Sequence, residues 1–158
     1  MAGQPFFLTV AGIGLSLAGF AGLLASFRQP GGSWSRVDLW RLKRIVNRSF
    51  AVLALALVPI PVFAIVADEA LTVRMVSVLL AALVLLDVAS VTPGWRRDWP
   101  DDRGLLVAWA LNGGIAALAL ANGLWASVGV YELELGYLLL WPASIFMRVL
   151  GDLRAEAD

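Results

Sequence analysis

The chain has 158 residues, of which 60% are hydrophobic and 15% charged, and its twelve basic residues balance twelve acidic ones. A soluble domain is about half apolar and about a quarter charged, so this composition excludes an ordinary soluble domain. The sequence contains no cysteine and no histidine, which excludes disulfides, thiolate nucleophiles and imidazole ligands. We therefore expect no enzyme activity, no cofactor and no metal, and one membrane-embedded domain that covers residues 1–158.

The first apolar run covers residues 6–27 and contains no charged residue. At ~1.5 Å per residue, a helix of this length crosses the ~30 Å hydrocarbon layer of a bilayer. A secretory signal peptide is the alternative, but no basic residue precedes the run and the run is too long for one. The pattern therefore predicts a first transmembrane helix.

Small residues recur every three or four positions along this run, which places them on one helical face. Close van der Waals contact is a main source of helix association in lipid, and small residues allow it. Another helix of the chain is the favoured partner, and a second copy is the alternative. The predicted packing face consists of Gly12, Ser16, Gly19, Gly22 and Ser26.

A basic segment follows, in which residues 33–48 have the pattern of an amphipathic helix. Such a helix lies on the anionic cytoplasmic leaflet, and each basic residue contributes about 1 kcal/mol. The adjacent apolar runs favour lipid over nucleic acid, for which we expect no binding, and a cytoplasmic protein partner is a further alternative. The basic residues that would meet lipid or a partner are Arg36, Arg41, Lys43, Arg44 and Arg48.

Four more apolar runs cover residues 49–67, 75–92, 105–128 and 131–153. The most apolar part of the last run is short for a crossing, so a re-entrant or interfacial segment is the alternative there, which would leave four spans. We predict an all-α fold, a polytopic bundle of five transmembrane helices with the basic amphipathic helix before the second.

Three prolines lie inside the predicted spans: Pro59 and Pro61 in the second and Pro142 in the fifth. Proline removes a backbone donor and clashes with a carbonyl one turn earlier, so bends are predicted at these positions. A fixed kink is favoured over a hinge, because neighbouring groups in a small bundle satisfy the freed carbonyls.

The basic residues cluster in the first and third loops, which resist translocation and therefore face the cytoplasm. This arrangement predicts a multi-pass protein of the cell membrane with its N-terminus outside and, if five spans cross, its C-terminus inside. Arg74 then lies outside with the acidic residues Asp68, Glu69, Glu132 and Glu134.

Asp87 is an acidic residue within an apolar span, where a carboxylate needs a partner, water or a proton. Arg148 lies near the same end of the fifth run, so a structural Asp87–Arg148 pair is the favoured hypothesis. The alternative is a polar path for an ion or proton along Asp87, Asn112 and Asn122.

Two classes of function are compatible with this sequence. The favoured one is a non-enzymatic membrane subunit or scaffold that packs with itself or with other membrane proteins. The alternative is a small oligomeric channel, transporter or membrane-permeabilising effector, whose polar path runs near Asp87 and Asn112.

Overall fold

The computed structural model describes residues 1–27, 36–98 and 102–155. Within these ranges the regular elements are all α-helices and no β-strand occurs, which confirms the predicted all-α class. The six helices are α1 (Gln4–Phe27), α2 (Arg36–Leu57), α3 (Pro59–Val66), α4 (Glu69–Asp98), α5 (Asp102–Trp125) and α6 (Val128–Ala155).

Among the residues that the structure describes, five helical segments are long and apolar enough to cross a membrane. The fifth segment contains 24 residues, because α6 begins at Val128, three residues before the start that the sequence predicts. Its length is sufficient for a crossing, in agreement with the five-helix prediction rather than the four-helix alternative. The segments are Gln4–Ser26, Leu39–Val66, Glu69–Ser90, Leu106–Trp125 and Val128–Gly151.

The predicted amphipathic helix is the first part of a longer helix. α2 continues without interruption from Arg36 to Leu57, through the boundary expected near residue 48. Positions 33–35 of the predicted amphipathic segment lie outside the described residues. The basic half of α2 and its apolar half therefore form one continuous helix.

The helix assignment is interrupted at Val58, directly before Pro59. Val58 itself keeps helical dihedrals, with φ −54° and ψ −37°, and its carbonyl accepts a hydrogen bond from the Val62 N–H at 3.2 Å. Pro59 and Pro61 have no N–H with which to continue the helical hydrogen-bond ladder. In contrast, α6 continues as a helix past Pro142.

The first of two compact units comprises Met1–Gly3 and Val58–Glu134. In it α4 packs against α5 and α3 packs against α4. In the described part of α4 one face is buried at three- and four-residue intervals, as expected for a helix that packs against neighbours on one side. The buried residues of this face include Val73, Val76, Leu80, Ala81 and Val84.

The second unit comprises Gln4–Leu57 and the chain from Leu135 onwards, and α1 and α2 pack together in it. Its core contains Ala21 of α1, Leu42 and Ile45 of α2, and Val149 of α6. α6 therefore contributes its first turns to one unit and the rest of its length to the other.

Candidate functional site

The predicted packing face of α1 is exposed. All five of its residues are exposed, and a Cβ atom added at Gly12, Gly19 or Gly22 would meet nothing within 4 Å. The hydroxyls of Ser16 and Ser26 donate to the carbonyls of Gly12 and Gly22, both at 2.9 Å. The face thus offers a smooth surface whose hydroxyls are satisfied within the helix.

A second small-residue face of α1 makes the internal contact. Ala11, Gly14, Ala18 and Ala21 recur at intervals of three and four and are all buried. A Cβ atom at Gly14 would lie 3.0 Å from the Ser49 carbonyl oxygen, so α2 approaches α1 closely at this point. The sequence contains both faces, but small-residue spacing alone does not distinguish the face that packs within the chain.

An open apolar groove of about 540 Å³ lies beside the exposed face of α1. The rings of Phe20 and Phe146 approach each other there, with 6.3 Å between their centroids. The lining residues are Thr9, Gly12, Ile13, Ser16, Leu17 and Phe20 of α1, and Ala143, Phe146 and Met147 of α6.

The basic residues of α2 have different environments. Lys43 is exposed and Arg41 is half-buried, whereas Arg44 and Arg48 are only 8% and 6% exposed. The Arg44 guanidinium lies 5.8 Å from the centre of the Trp40 ring, and that of Arg48 lies 5.9 Å from the Trp141 ring. Both distances are within the range of cation–π attraction. Arg36 belongs to α2, but its side chain is outside the described set.

The structure places Asp87 and Arg148 in different compact units, and their pairing stays a prediction. Asp87 is half-buried on α4, and its backbone carbonyl accepts a hydrogen bond from the Ser90 hydroxyl at 2.8 Å. Arg148 is exposed on α6.

The two predicted polar-path asparagines are buried and hydrogen-bonded within the first unit. The Asn112 amide donates to the Ala108 carbonyl at 2.7 Å. The Asn122 amide donates to the Ser77 hydroxyl and to the Ser127 carbonyl, both at 3.0 Å, while its Oδ1 accepts from the Ser127 N–H at 2.9 Å. Asn122 therefore joins α4, the end of α5 and the turn that leads into α6.

Glu134 is the site residue that sequence reasoning missed. It lies in the second turn of α6, inside the apolar segment Val128–Gly151, and its side chain is 0% exposed. Neither carboxyl oxygen has a hydrogen-bond partner among the described residues. From the sequence, Glu134 was expected on the outer side of the membrane together with Asp68, Glu69 and Glu132. The usable signal was its spacing from Tyr131, which is also fully buried and lies three residues earlier on the same face.

No protein-family model, no curated protein and no solved structure matches this chain. Three features of the chain itself bear on its function. These are the exposed small-residue face of α1 with its groove, the partly buried basic side of α2, and the buried carboxyl group of Glu134.

Proposed function

We propose that this protein is a small multi-pass subunit of the cell membrane that associates, without catalysing a reaction, with a second copy or with another membrane protein. The exposed small-residue face of α1 carries the proposal. Its glycines leave space in which a neighbouring helix backbone can approach, and its serine hydroxyls need no solvent. Such a face gives close van der Waals contact, which drives association where lipid surrounds the helices.

Large apolar side chains at the surface support lipid as the solvent of these helices. Ile65 is 85% exposed, Leu124 is 76% exposed and Leu106 is 68% exposed. Extended apolar surface of this kind marks a membrane or protein interaction site. The basic loops favour an arrangement in which Lys43 faces the cytoplasm and the N-terminus lies outside.

The hydrogen bonds of Asn112 and Asn122 favour the subunit over the pore. Each amide is engaged with groups of its own unit, and Asn122 uses both its donor and its acceptor atoms there. A path for ions needs polar groups that remain free to solvate the ion. On this proposal the purified protein gives no ion conductance in liposomes.

Gly19→Leu tests the assembly face. Because nothing lies within 4 Å of a Cβ at Gly19, the substitution leaves the fold intact while it fills the space that a neighbouring helix would occupy. We expect the complex extracted in mild detergent to lose mass on native mass spectrometry, with an unchanged melting temperature.

Leu23→Ile is the matched control, since Leu23 is also exposed on α1 but lies outside the small-residue face. It should leave the mass of the complex unchanged. A Gly19→Leu complex with the mass of the unsubstituted one would refute the assignment of this face.

A further inference from the structure

Among the described side chains of residues 59–90 and 106–134, none gives the carboxyl group of Glu134 a buried cation. Arg74 is the only basic side chain in residues 59–90 and 106–134, and it is exposed. The acidic residues of α4 in this part are Glu69, which accepts a hydrogen bond from the Ala2 N–H at 2.8 Å, and the half-buried Asp87.

The described side chains of α3 and α5 add no compensating charge. The helical segments 59–66 and 106–125 contain no ionisable side chain. On α6, Tyr131 is fully buried one turn before Glu134, and Glu132 is half-buried. Tyr137, one turn after Glu134, also has a buried hydroxyl without a hydrogen-bond partner, so no described group donates to either oxygen of the Glu134 carboxyl.

The position of Glu134 along α6 also separates its carboxyl group from the end of the helix. Glu134 follows the first residue of α6 by six positions, which is about 9 Å along the helix axis. A long side chain at a helix end can reach the headgroup layer, but the Glu134 side chain is 0% exposed and is therefore covered by protein.

An ionised carboxylate that is withdrawn from water without a partner is strongly disfavoured, and the group binds a proton instead. We infer that Glu134 is a proton-binding site within the apolar segment of α6. Its ligand is a proton from the aqueous phase, and the carboxylate and the proton combine reversibly to the neutral acid. Occupation of the site changes the charge of α6 by one unit, independently of the face of α1 that is proposed for assembly.

Infrared difference spectroscopy of the whole protein in lipid nanodiscs tests this site. The chain has four glutamates, at positions 69, 132, 134 and 156, so ¹³C-carboxyl glutamate separates their bands from those of the aspartates. We expect a protonated carboxyl band at neutral pH that shifts with the label, shifts in D₂O and is absent from Glu134→Gln.

Glu132→Gln is the matched control, because Glu132 is two residues away and half-buried. The band should persist in this variant. If Glu134→Gln does not fold, the triple variant Glu69→Gln, Glu132→Gln, Glu156→Gln leaves Glu134 as the only glutamate and must retain the band. Absence of a protonated glutamate at neutral pH, its survival in Glu134→Gln, or a band insensitive to D₂O would each overturn the inference.

Discussion

At the scale of single residues, the two small-residue faces of α1 differ in what their glycines contact. Gly14 lies against the backbone of α2, whereas Gly12 lies against open space, although the two are only two positions apart. The same residue type therefore serves internal packing at one position and an external surface at the other. Substitution separates these roles.

Gly14→Ala should destabilise the fold. The added Cβ would lie 3.0 Å from the Ser49 carbonyl oxygen and 3.5 Å from the Leu53 nitrogen, so α1 and α2 must move apart. Overpacking of this kind costs about 1–3 kcal/mol, and the helix preference of alanine returns about 0.5–1 kcal/mol. We expect a net loss of roughly 1 kcal/mol in detergent unfolding.

Gly12→Ala is the control for this measurement, because its Cβ meets nothing within 4 Å. It should leave stability unchanged or slightly raised. Equal effects of the two substitutions would contradict the assignment of Gly14 to the internal contact.

The residue scale is also where sequence reasoning reached its limit. The spacing of small residues predicted one packing face on α1, but α1 carries two interleaved small-residue faces. Spacing alone does not tell which of them packs within the chain. Similarly, Arg44 and Arg48 have the period of a solvated basic face, yet both are buried beside tryptophan rings. Periodicity reports which residues share a face, whereas the neighbour of that face depends on tertiary packing.

At the scale of helices, the apolar runs were predictable because the length of a crossing and the absence of charge are properties of the sequence itself. The residues at which helices begin and end were harder to predict from the sequence. The amphipathic helix and the second span were expected to meet near residue 48, but α2 continues through that position, and α6 begins three residues before its predicted start. A helix end depends on capping and on turn geometry, as the start of α6 illustrates.

The turn before α6 is held by hydrogen bonds around Asn122. Ala126 has a left-handed φ of 59°, and its N–H donates to the Asn122 carbonyl at 2.7 Å. The Ser127 carbonyl in turn accepts a hydrogen bond from the Tyr131 N–H at 3.2 Å in the first turn of α6. This network fixes where α6 begins, and with it the burial of Glu134 in the second turn.

Asn122→Ala should therefore loosen the junction of α4, α5 and α6. It removes two hydrogen bonds to Ser127 and one to Ser77 and leaves buried polar groups unsatisfied, at about 1–3 kcal/mol. Thermal unfolding in detergent measures the loss, and hydrogen exchange should rise at the start of α6.

Ser77→Ala breaks only one of these three bonds and provides the graded control. It should cost less than Asn122→Ala. A larger loss for the serine variant would show that the turn before α6 is held by something other than Asn122.

At the scale of the whole molecule, the distribution of basic residues sets the expected orientation. Lys43 is exposed in the basic part of α2, and Ala70 is exposed at the start of α4. Since most of the apolar segment Leu39–Val66 lies between Lys43 and Ala70, the two positions are expected on opposite faces of the bilayer.

Single-cysteine variants test this orientation, because the chain has no cysteine and its background labelling is zero. In sealed spheroplasts, a membrane-impermeant maleimide should label Ala70→Cys and should label Lys43→Cys only after lysis. Labelling of both variants before lysis would contradict the predicted topology.

The tight turns between α3 and α4 and between α5 and α6 have one more consequence. Each connection consists of only two residues, Ala67 and Asp68 in one case and Ala126 and Ser127 in the other, and each begins with a left-handed alanine. On the proposed topology both connections lie on the outer face of the membrane. They offer almost no extended chain that a protease or an antibody could bind. These two connections are then expected to resist limited proteolysis from the outer side.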